Sequence, residues 1–74
     1  MDVQLLVTHT DPSLPGLKRN LESVGINYSV EYIEENLDLV ESNHIRHSPN
    51  IFIDGSLIFR SQPTIAELRT FFLG

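Results

Sequence analysis

The run His47-Ser48-Pro49-Asn50-Ile51-Phe52-Ile53-Asp54-Gly55-Ser56-Leu57-Ile58-Phe59 says most about the fold. Asp54-Gly55 supplies the positive φ angles that a two-residue hairpin turn requires, and apolar segments flank it on both sides. Asn50–Ile53 and Ser56–Phe59 are therefore predicted to pair antiparallel. Toward the C-terminus, Thr64-Ile65-Ala66-Glu67 matches the S/T-x-x-E capping box just ahead of Leu68, Phe71 and Phe72, which predicts a final helix. Phe71, Phe72 and Leu73 cannot all face inward from one helix. One of them is expected at the surface, as partial core or as a dimer or partner contact.

Toward the N-terminus the signals change period. Val3-Gln4-Leu5-Leu6-Val7 is a short, nearly continuous apolar run, which suits a strand buried on both faces. After the Pro/Gly punctuation of residues 11–16, Leu17, Leu21 and Val24 recur at helical spacing, and Gly25 stands where a glycine would end that helix. Ile26, Tyr28, Val30 and Tyr32 alternate with Asn27, Ser29 and Glu31, as in a strand with one polar face near a sheet edge. Asn36 is placed to cap a second, short helix that ends before Pro49. Its Leu37 and Val40, with Ile45, are expected to face inward, and Asp38 and Glu41 to face water. The predicted order is βαβαββα in one α/β domain spanning residues 1–74. Two strands joined through a helix imply a right-handed parallel crossover, and the hairpin adds antiparallel strands, giving a mixed four-stranded sheet with three helices.

Composition narrows the chemistry. Ten Asp and Glu against five Lys and Arg leave a formal charge of -5, which opposes a polyphosphate backbone as partner; nucleic acid is not expected. No apolar run is long enough to span a membrane and no signal peptide is legible, so the expected compartment is the cytoplasm. The absence of cysteine removes disulfides, thiolate nucleophiles, iron–sulfur ligation and thiol–disulfide exchange by this chain alone.

The chain resembles the thioredoxin superfamily, and within it the small glutaredoxin-like members, over essentially its whole length. Two local features carry the resemblance beyond element order. Asp11-Pro12-Ser13-Leu14 stands after the first strand, where the family has Cys-Pro-x-Cys, and Pro49 stands just before the third strand, where the family holds a cis proline. The resemblance implies a thioredoxin-like fold, Ser48-Pro49 in cis, and a site formed by Asp11, Pro12, Ser13 and Leu14 with Ser48 and Pro49. Asp11 and Leu14 occupy both cysteine positions, which implies a redox-inactive domain, not an oxidoreductase, that needs no cofactor. What remains is a binding module: in the family, the residue before the cis proline offers its backbone to an extended peptide, and Ser48 keeps that backbone. Arg60-Ser61-Gln62-Pro63 stands where glutathione binders often carry Gly-Gly or Gly-Ser, which argues against glutathione. The expected partner is a protein or peptide, and the expected state a monomer or weak dimer.

Several residues also admit readings from their own chemistry. Asp11 is read first as an N-cap with Pro12 at the first helical position, Ser13 being the other cap candidate because Pro15 would otherwise fall inside the helix; a ligand-contacting carboxylate is the sharper reading. His9, Asp11 and His47 form the alternative from another class, a His/Asp/His set acceptable to zinc or another divalent ion, against solvated loop histidines. Glu31, Glu34, Glu35, Asp38 and Glu41 are read as a solvated strand end and helix face, or else as an acidic patch for a basic partner.

Overall fold

A computed structural model describes residues 1–74. The elements are β1 (Val3–Val7), α1 (Leu14–Ser23), β2 (Ser29–Tyr32), a 3₁₀ turn (Ile33–Glu35), α2 (Leu37–Ser42), β3 (Asn50–Ile53), β4 (Ser56–Phe59) and α3 (Ile65–Leu73). The four strands form one mixed sheet in the order β2-β1-β3-β4, with β1 and β2 parallel and the other two pairs antiparallel. The mixed four-stranded sheet, the parallel β1–β2 pair joined through α1 and the three helices match the expected α/β architecture.

The hairpin closes as its turn residues dictate. Asp54 and Gly55 have φ of 50° and 84°, and the turn is clipped to the N-terminus by reciprocal Asp2–Asp54 bonds of 2.8 Å each. Between Ile51 and Phe52 the β3–β4 register slips, passing over Ile58, which is exposed. Along β1, Val3, Leu5 and Val7 face α1 and α3, and join Leu17, Leu21, Ile51, Ile53 and Leu68 in one buried cluster. Leu6 and Phe52 point to the opposite face and are also buried, so β1 is covered on both sides as its nearly continuous apolar run predicts.

α1 begins later than an Asp11 cap would place it. Leu14 is its first residue, Ser13 sits at the N-cap without a capping side-chain bond, and Pro15 falls in the first turn, where its missing N–H costs nothing. Pro12 therefore lies outside the helix. The other end follows the glycine signal: Gly25 at φ 76° donates to Glu22 O (3.1 Å) and Ile26 N–H to Leu21 O (3.0 Å), the two bonds of a Schellman motif. Ile26 packs on the core instead of starting the strand, so β2 begins only at Ser29, at the sheet edge as expected.

Three expectations about the helices fail. No residue of α2 is buried, and Leu37 is 66% exposed. Six residues make less than two turns, and Leu37 and Leu39, two positions apart, face nearly opposite sides, so one of them must meet solvent. Asn36 does not cap α2; its Nδ2 donates to Tyr32 O at 2.8 Å. On α3 the capping box forms as predicted, with Thr64 Oγ1 accepting from Glu67 N–H (3.1 Å) and the Glu67 carboxylate from Thr64 N–H (2.9 Å). Phe71 and Leu73 are both exposed where one exposed residue was expected, while Phe72 packs against the core.

Candidate functional site

Two loops meet at one end of the sheet: residues 8–13 after β1 and residues 43–49 before β3. Ser48 joins them. Its Oγ accepts from Thr8 N–H at 3.1 Å and donates to the Asp11 carboxylate. The other Asp11 oxygen accepts from Ser13 N–H at 2.8 Å and from Ser13 Oγ at 2.6 Å. One half-buried carboxylate thus accepts three bonds, all from neutral donors. Burial pushes its pKa up, but the bonds from Ser13 and Ser48 outweigh that and hold it below the ordinary 3.8. So stable an anion is a weak general base near neutrality. Ser13 and Ser48 bond to Asp11 and to no imidazole, so neither is an activated nucleophile.

The Ser48-Pro49 peptide bond is cis, where the resemblance put it. Pro49 is buried, Pro12 is exposed, and Leu14 turns toward the core cluster. The backbone N–H and C=O of half-buried Ser48 make no hydrogen bond within the protein. Thr10 and Arg46, in the same two loops, likewise make no main-chain hydrogen bond, and Ser48 is the one of these beside Asp11.

The histidines go elsewhere. The His9 ring stacks on Tyr32, with centroids 3.9 Å apart and planes 14° apart, and its Nε2 lies 2.6 Å from Glu35. His9 N–H reaches both oxygens of Glu34 at 3.1 and 3.3 Å. The Glu34 pKa is lowered, by backbone N–H donation from its own residue and then from His9. Two of the clustered acids therefore fasten the β1–α1 loop to the 3₁₀ turn. His9, Asp11 and His47 are not gathered as a metal set, and no three His, Asp or Glu side chains in the chain are. The physical reason is the competing carboxylate partners of His9.

His47 instead borders a cleft of about 350 Å³ with His44, Arg46, Asn50 and Arg60. Its floor is Asn50, 1% exposed, whose Nδ2 donates to His47 O (2.7 Å) and Leu6 O (3.2 Å). The only local signal for this group is the run His44-Ile45-Arg46-His47, with one arginine between two histidines; Arg60 joins it from elsewhere in the chain. Comparison with known family models, with curated proteins and with solved structures finds no match to this chain.

Proposed function

We propose that the chain is a redox-inactive, glutaredoxin-like member of the thioredoxin superfamily that binds an extended segment of a partner protein. Its binding groove lies between residues Asp11–Leu14 and Ser48–Pro49. The sheet order and the placement of α1 and α3 on one face support the family reading. Thiol–disulfide exchange needs a thiolate, and the chain contains no cysteine.

The observation that carries the binding reading is the unpaired N–H and C=O of Ser48 beside the tied Asp11. An extended peptide satisfies both groups by strand-like pairing, in which main-chain bonds give affinity and neighbouring side chains give selectivity. The Asp11–Ser48 bond holds the two loops in register before a peptide arrives, which lowers the ordering cost of binding. The cytoplasm is the proposed compartment, and a monomer or weak dimer the proposed state.

The test is to pan a random peptide library on the purified chain and map the selected peptide by amide shifts. Shifts at Asp11, Ser13, Leu14 and Ser48 are expected, and N-methylating the peptide's backbone is expected to abolish binding. A library that yields no binder, or shifts confined to other surfaces, contradicts the proposal.

A further inference from the structure

We propose that the cleft bounded by His44, Arg46, His47 and Arg60 binds a small phosphorylated molecule through its phosphate dianion. The cleft sits between the α2–β3 loop and the end of β4; it shares that loop with the peptide groove but none of the groove's residues, and nothing in it depends on that reading. It gathers two of the five Lys and Arg residues and two of the three histidines, and none of the ten acids lines it. In a chain of net charge -5 this is a strong local sorting of charge. None of the five Lys and Arg is ion-paired, so the absence of a carboxylate partner does not single these two out; their convergence on one concavity does.

The cleft is built. Both Asn50 N–H donors are spent on backbone carbonyls, which fixes the His47 loop over the start of β3 and leaves recognition to the cationic rim. Arg60 donates from Nη1 to Asn43 O at 3.2 Å, so it is braced against the end of α2 with guanidinium donors to spare. His44 occupies the left-handed position after α2, at φ 55°, within a Schellman pair of bonds: His44 N–H to Glu41 O (3.3 Å) and Ile45 N–H to Val40 O (2.9 Å). Glycine suits that position better, because a side chain there carries backbone strain. The imidazole held there borders the cleft.

Two guanidinium forks match phosphate oxygens in bidentate geometry, and imidazoles add single donors. About 350 Å³ lies at the small end of ligand sites, which suits a phosphate ester and not a polymer. The chain's overall negative charge excludes long polyanions for the same reason that it opposes nucleic acid.

The test is an amide-shift titration of the intact chain with inorganic phosphate, with acetate at equal ionic strength as a second arm. Saturable shifts centred on His44, Arg46, His47 and Arg60, stronger with phosphate than with acetate, are expected. Arg46→Ala is expected to weaken phosphate binding by about tenfold, as the loss of one charge-assisted contact implies, whereas Arg69→Ala leaves it unchanged. His44→Gly is expected to raise the thermal midpoint while weakening binding, a split that a purely structural histidine would not give. Linear shifts without saturation, equal response to acetate, or wild-type affinity in Arg46→Ala or His44→Gly overturns the proposal.

Discussion

The two faces of the sheet are built to different standards. On one, α1 and α3 close over Val3, Leu5, Val7, Ile51 and Ile53 with Leu17, Leu21 and Leu68, all buried. On the other, the short α2 buries none of its residues, and the loop that follows it carries His44, Arg46 and His47 at the surface. The first face holds the larger buried cluster; the second still buries Leu6 and Phe52 but is bordered by loops that carry polar groups and strained backbone. In a 74-residue domain, whose net stability is expected to be only about 3–5 kcal/mol, the helix-covered face supplies most of the buried apolar side chains.

The largest expected effect breaks the dry face. Leu17→Ala removes a fully buried side chain and leaves a cavity, at a cost of about 2–5 kcal/mol by denaturant titration, enough to unfold much of the population. Asn50→Ala comes next. It strips two carbonyls of their donor beneath the cationic cleft and is expected to cost about 1–3 kcal/mol, with the His47 loop losing hydrogen-exchange protection.

Asp11→Ala should have an intermediate effect, about 1–2 kcal/mol, because it frees Ser13 and Ser48 from their acceptor. Its pH signature is distinctive. The folded-state pKa of Asp11 lies below the unfolded value, so its contribution is fully present above the unfolded pKa and is lost as pH falls through the folded one. Melting curves at successively lower pH should therefore show a loss of stability in the acid range that is smaller in the variant. Leu37→Ser is the smallest and sharpens the comparison most: at 66% exposure it is expected to stay within about 0.5 kcal/mol of wild type. A cost near that of Leu17→Ala would show that α2 itself is core after all.

The same division explains what was legible in the sequence. The hairpin at Asp54-Gly55, the capping box at Thr64–Glu67, the helix stop at Gly25 and the double burial of β1 are written in adjacent residues, and each appears where those residues place it. The inward face of α2 was misjudged because spacing alone does not say whether six residues lie flat enough to bury a stripe. At the site, the loops that meet were foreseen but the bonds between them were not. Asp11 takes its second partner from Ser48, 37 residues away, and no local pattern announces that pairing. His9 is drawn away from Asp11 by Glu34 and Glu35, whose clustering reads as a solvated face or as a patch for a basic partner. Arg60 reaches the cleft from just past the end of β4, so only the 44–47 run is there in the sequence to suggest it.

The central claim is that the unpaired main chain of Ser48 is a docking point for extended peptide, and the amide resonance of Ser48 reads it directly. On titration with a library-selected peptide, the Ser48 N–H is predicted to shift with saturation, together with Asp11, Ser13 and Leu14, and to become protected from hydrogen exchange as it gains a carbonyl partner. A Ser48 amide that neither shifts nor gains protection while the peptide binds at the exposed Ile58 and Phe71 would contradict it.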